Sequence, residues 1–138
     1  MTTSLLLDTC AVIWIAQGGQ LGPAATAEIE SAVLADTPIV VSAITAWELG
    51  MLGRRGRLAA AISPQALFDR VVQTRGVRVS PLEPSILIDS SFLPGDFHND
   101  PADRIIVATA RALALTVVTR DRAILNYARQ GHVLALPC

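Results

Sequence analysis

The chain has 138 residues, a length at which one domain buries most of its apolar surface without disulfide or metal staples, so a single domain over 1–138 is expected. Hydrophobic residues make up 51% and the mean hydropathy is +0.47, yet no apolar run approaches the roughly 20 residues that a bilayer crossing needs, which excludes a membrane helix and assigns the surplus to core or interface. A net charge of −1 excludes a global basic field for gathering phosphates, and the 11 basic residues are all Arg, which excludes mechanisms built on an active-site lysine.

Met1 to Ser4 are uncharged and run straight into an apolar strand, without the basic start and apolar core of an export signal. The strand is read over Ser4 to Leu7, followed by a helix from Thr9 to Gln17 that stops at Gly18 and Gly19. Pro23 opens a second helix to about Asp36, and Ile39 to Ser42 is the second strand. A third helix runs from there through Leu52 and is expected to end at Gly53, with a basic loop from Arg54 to Arg57 behind it. Ser63-Pro64 caps a fourth helix ending near Gly76, Val77 to Ser80 is the third strand, and Pro84 starts a short helix to about Leu93. Asp100-Pro101 caps a longer helix to Leu113. Thr116 to Thr119 is the fourth strand, a last helix follows it, and Val133 to Leu136 is the fifth strand. Unbroken apolar strands separated by helices imply a parallel sheet covered on both faces, an α/β three-layer α/β/α sandwich around five strands. Cys10, inside an apolar stretch, and Cys138 frame neither a disulfide network nor a zinc site, so a reducing cytoplasm is expected.

In open parallel sheets chemistry gathers beyond the carboxyl ends of the strands. Asp8 directly follows the first strand, Glu48 lies in the early turns of the helix after the second, Asp103 is in the first turn of the helix before the fourth, and Asp121 stands just beyond that strand. Convergent carboxylates repel one another unless a cation joins them, and an all-oxygen donor set suits Mg2+ or Mn2+. Such a site serves phosphodiester hydrolysis, since the ion activates water and neutralises charge on the leaving oxygen.

Leu-Leu-Leu-Asp8-Thr9, Ser42-Ala-Ile-Thr-Ala-Trp47-Glu48, His98-Asn-Asp100-Pro-Ala-Asp103-Arg104 and Thr119-Arg-Asp121 resemble the successive motifs of PIN domains. The Trp-Glu pair and the Asp-Pro-x-Asp-Arg segment are similar to VapC-type toxins, the ribonuclease half of type II toxin–antitoxin modules. The resemblance implies that Asp8, Glu48, Asp103 and Asp121 are the four acidic metal and catalytic positions of a divalent-metal-dependent endoribonuclease. It also implies that Thr119 orients the fourth acid, that Thr9 is an accessory residue, and that the protein forms a homodimer inhibited by a small VapB-like antitoxin.

Several residues carry simpler readings. Asp100 is chiefly a helix cap and an accessory to the site, and His98, a loop histidine, is assigned no catalysis. Trp14 and Trp47 are read as core or interface residues. Arg54, Arg55 and Arg57 could hold RNA phosphates that the net charge cannot attract globally, while Arg104 and Arg120 or Arg122 adjoin the acids and could pair with them or with the carboxylates of an inhibitory partner. The competing functions are a PIN-fold RNA-processing nuclease outside a toxin–antitoxin pair, a catalytically inactive binding module, and a phosphoacceptor signalling domain. The last is disfavoured because its chemistry uses a lysine beside the phosphoryl group.

Overall fold

The computed structural model describes residues 3–58 and 62–138. Five parallel strands form one sheet: β1 (Leu5–Leu7), β2 (Ile39–Ser42), β3 (Val77–Ser80), β4 (Thr116–Thr119) and β5 (Leu134–Pro137), in the order β3-β2-β1-β4-β5. The helices are α1 (Thr9–Ala16), α2 (Pro23–Leu34), α3 (Ala43–Arg54), α4 (Pro64–Val72), α5 (Pro84–Asp89), α6 (Pro101–Leu113) and α7 (Arg122–Arg129). From β1 the chain winds outward through β2 and β3, then returns to the other side of β1 for β4 and β5. The winding therefore reverses between β1 and β4, and the crevice beyond their carboxyl ends is the switch point where ligands bind in such sheets.

Alternation along each strand divides the apolar residues between two cores. Leu5, Leu7, Ile39, Val41 and Val118 face one layer with Val12 of α1, Ala25 and Ala32 of α2, and Leu67 and Val71 of α4. Leu6 and Val117 face the other, with Ile106, Val107 and Ala110 of α6 and Ile124 and Tyr127 of α7. Helix α3 contributes Ile44 to the second core and Leu49 to the first, so it spans both layers at the sheet's carboxyl edge. That crossing carries Glu48 over the switch point.

The element boundaries differ from the sequence reading in three informative places. Helix α3 runs through Gly53 to Arg54, and the left-handed residue that closes it is Gly56, with φ +69. Gly53 is kept free of a side chain by α4: a Cβ there would stand 2.5 Å from Pro64 Cγ. Helix α5 ends at Asp89, leaving residues 90–99 as an irregular segment, and β5 is shifted one residue later than its apolar pattern suggests.

Helix α6 ends on a non-glycine residue in the left-handed region, Ala114 at φ 55 and ψ 46, where the following Leu115 N–H reaches back to the Ala110 carbonyl at 2.9 Å. This conformation strains any residue with a Cβ. Ala114→Gly is expected to stabilise the fold by about 0.5–1 kcal/mol after the larger unfolded-state entropy of glycine is counted. Thermal unfolding checks this, and an unchanged or lower midpoint contradicts it.

Candidate metal centre

Asp8 leaves β1 as the N-cap of α1, its Oδ1 accepting the Ala11 N–H at 2.8 Å. Its Oδ2 accepts the hydroxyl proton of Thr119, the last residue of β4, so the two strands flanking the switch point are joined through this carboxylate. Thr119 is fully buried, and its Oγ1 also accepts the Asp121 N–H at 2.9 Å. Asp121 in turn caps α7, accepting from Ala123 and Ile124 N–H at 2.8 and 3.1 Å. One hydroxyl thus fixes the position of two acids.

A second threonine relay holds Glu48. Thr9 Oγ1 donates to Glu48 Oε1 and lies 3.0 Å from Thr45 Oγ1. The single Thr9 proton is committed to the carboxylate, so Thr45 is the donor to Thr9 and the relay runs from Thr45 through Thr9 to Glu48. Thr45, fully buried one turn before Glu48 on α3, was not singled out in the sequence; its spacing of three from Glu48 is the available signal.

The third segment is the start of α6. Asp100 caps it, accepting from Ala102 and Asp103 N–H at 3.0 and 3.2 Å. Asp103 sits in the first turn, with its Oδ2 3.3 Å from His98 Nε2. His98 Nδ1 accepts the Asp100 N–H at 3.2 Å, so the ring proton is on Nε2 and is directed at Asp103. Ligand atoms of His98, Asp103 and Asp121 lie within 4.8 Å of one another. With Nε2 protonated, His98 orients Asp103 as a hydrogen-bond donor, and the donor set stays all-oxygen.

The electrostatics agree with a cation site. Burial raises the Asp8 carboxyl above its ordinary range, against the hydrogen bonds from Thr119 and Ala11, and Asp121 raises it further. Burial also raises Glu48, with Asp100 and Asp8 adding to the effect. Asp103 is pushed up to about 7, first by burial and then by Asp100, Asp121, Glu48 and Asp8. Even the Cys10 thiol is pushed up to about 11, by burial and by the four acids around it. The acids therefore face one crevice and repel one another across it, with Asp103 and Asp121 the pair brought within 4.8 Å. Among the described residues no arginine forms an ion pair with any of them.

The arginines near the acids in sequence are engaged elsewhere. Arg104 Nε donates to the Ser90 carbonyl at 2.8 Å, and its Nη1 donates to those of Phe97 and His98 at 2.9 and 3.2 Å, pinning the 90–99 segment that carries His98. Arg120 stacks on Trp14, its Cζ 4.2 Å from the ring centroid. Arg54, Arg55 and Arg57 are exposed at and beyond the end of α3, the first of them about 9 Å along the helix axis from Glu48. Trp47 is half exposed and outside both cores, whereas Trp14 is held by its Nε1–H bond to the Gln20 carbonyl at 2.7 Å.

A model of the PIN domain matches residues 5–130. The chain belongs to the PIN-domain family. Its site occupies the switch point of this PIN domain, at the ends of β1 and β4. Ribonuclease VapC22 of Mycobacterium tuberculosis is 34% identical over 127 residues, 92% of this chain and 93% of that protein. The solved structure of VapBC2 from Rickettsia felis, bound to a DNA fragment from its promoter, superimposes with a TM-score of 0.67 at 12% identity and 98% coverage of each chain. A toxin–antitoxin complex from Klebsiella pneumoniae gives 0.56 at 21% identity, over 88% of this chain and 90% of that one. These two structures share the PIN fold with the chain.

Asp103 supplies a test that needs no substrate. An acid whose folded pKa is raised binds more protons folded than unfolded, so its contribution to stability is lost as pH rises from 3.8 through about 7. In chelator at pH 8, Asp103→Asn is expected to be more stable than the parent by about 1–3 kcal/mol, the full shift at about 1.4 kcal/mol per pKa unit being an upper bound. At pH 4 the gain shrinks. Urea unfolding measures both, and a variant no more stable than the parent at pH 8 contradicts the like-charge cluster.

Proposed function

We propose that the chain is a divalent-metal-dependent endoribonuclease and the toxin of a type II toxin–antitoxin pair, acting in the cytoplasm. The observation that carries the catalytic part is the convergence of Asp8, Glu48, Asp103 and Asp121, three of them with raised pKa and none with an arginine partner among the described residues. Such a donor set fits Mg2+ or Mn2+, which favour carboxylate oxygens and keep several waters. A bound divalent ion supplies charge neutralisation to the phosphodiester and lowers the pKa of the attacking water.

The chain's own residues do the rest by positioning. Thr119 keeps one Asp8 oxygen and the Asp121 main chain in register, and the Thr45–Thr9 relay holds one Glu48 oxygen. His98 aims Asp103, and the Arg104 clamp keeps His98 in place. The Cys10 thiol beside the acids, pushed up to about 11, stays protonated at neutral pH and is a poor nucleophile. The reaction this supports is direct attack by water on phosphorus.

The toxin part draws on the 34% identity to a protein named Ribonuclease VapC22 and on the fold shared with a toxin–antitoxin complex. Exposed apolar side chains, among them Phe92 at 80%, Ile88 at 62% and Leu134 at 61%, offer surface for a small antitoxin and for a second copy of the chain. No helix among the described residues is long and apolar enough to cross a membrane.

Asp8→Asn removes a metal-site charge while an amide oxygen still caps α1, so it is expected to lower Mg2+-dependent RNA cleavage by at least about 100-fold with an unchanged circular dichroism spectrum. Undiminished cleavage by the folded variant rules out the carboxylate mechanism. Induced expression of the parent is expected to arrest growth, with relief by co-expression of an adjacent small antitoxin. Normal growth at verified expression removes the toxin role while leaving the nuclease.

A further inference from the structure

Helix α7 carries Arg122, Leu125, Asn126 and Arg129 at spacings that place them on one face, while Ile124 and Tyr127 are buried behind it. Arg120 joins them from the turn after β4, and these five residues line a concavity of about 490 Å3 with no acid among them. Three of the chain's 11 basic residues therefore share one surface on a protein whose net charge is −1. The local field is positive where the global one is not.

Two of the three guanidinium groups are already oriented. Arg120 lies 4.2 Å over the Trp14 ring and donates from Nε to the Cys138 carbonyl at 3.0 Å. Trp14 is itself fixed by Gln20, and by Gly19, where a Cβ would stand 2.5 Å from the indole. The exposed tryptophan thus serves as a rest for an arginine. Arg129 donates from Nη1 to Asn126 Oδ1 at 2.9 Å. Among the described residues none of the three arginines pairs with a side-chain carboxylate, and Arg120 Nε is taken by the oxygen of Cys138, the last residue of the chain. Pre-oriented guanidinium groups that keep free N–H donors suit phosphate oxygens, because less side-chain freedom is lost per contact made.

The geometry points to a phosphate-binding track for single-stranded RNA, formed by Arg120, Arg122 and Arg129, that leads the strand past Asp121 into the acid cluster. It rests on the ribonuclease reading above. Asp121, the N-cap of α7, stands between Arg120 and Arg122 in the chain, which puts two of the concavity's arginines next in sequence to a cluster acid, and Arg122 to Arg129 extends about 10 Å along α7. Phosphates flanking the scissile one need cations at that position. An acidic segment of an inhibitory partner matches the charge too, and inhibition by polyglutamate tells the two apart.

The test is steady-state cleavage of a mixed-sequence single-stranded RNA in Mg2+ across a salt series, comparing the full chain with Arg122→Gln/Arg129→Gln. Both residues are exposed, and circular dichroism checks that the variant folds like the parent. The expected result is a KM raised about tenfold with kcat within about twofold, and a salt dependence of kcat/KM shallower by about 1.4, which is about 0.7 per lost phosphate contact. Unchanged KM and salt slope, with the parent still cleaving, overturn the track and leave the nuclease standing. A parent that cleaves no RNA overturns the ribonuclease reading and the track with it. Unchanged RNA kinetics combined with weaker inhibition by polyglutamate also overturn the track and assign the face to an acidic protein.

Discussion

The buried contact between Asp8 and Thr119 is the constraint on which the rest of the site depends. It crosses from the end of β1 to the end of β4 at the reversal of the sheet's winding, the one place in this topology where neighbouring strands send their loops apart and leave a crevice. Because Thr119 also accepts the Asp121 N–H, the same hydroxyl sets the start of α7 relative to α1. The positions of two acids and two helices therefore depend on one side chain with no exposed surface.

Around that contact the fold assembles an arrangement that opposes its own stability. Burial and mutual repulsion raise Asp8, Glu48 and Asp103 together, while both cores beneath are packed with aliphatic side chains that hold the strands regardless. The acids are held by N-caps and threonine relays and not by arginines, which leaves their charge uncompensated within the protein. An arginine in the crevice would stabilise the fold and fill the place of a cation. Arg104 and Arg120, both adjacent to acids in sequence, are diverted to carbonyls and to an indole face. Stability is given up locally, the usual direction of the trade at functional centres, which supports the proposed cation site.

The sheet was legible in the sequence because buried parallel strands are unbroken apolar runs, and β2, β3 and β4 keep the bounds read from Ile39, Val77 and Thr116. The fifth strand slid by one residue because Val133 to Pro137 offers no polar position to set its start. The end of α3 was misread because a glycine signals both a helix end and a close approach; here Gly53 makes room for Pro64 and Gly56 ends the helix. The four acids were visible from their places after strands and from the family motifs. His98 was not, since its role depends on how residues 90–99 fold back, and that path is set by Arg104 bonding to carbonyls, which leave no trace in residue type. The stacking of Trp14 on Arg120 was hidden for the same reason, because it joins α1 to the turn after β4.

The central claim is that the crevice carboxylates share one divalent cation, and crystals grown in Mn2+ test it most directly through anomalous scattering. The account predicts a peak about 2–2.5 Å from carboxylate oxygens of at least two of Asp8, Glu48, Asp103 and Asp121. Saturating Mn2+ that leaves this cluster empty, or that binds only at residues elsewhere, would contradict it.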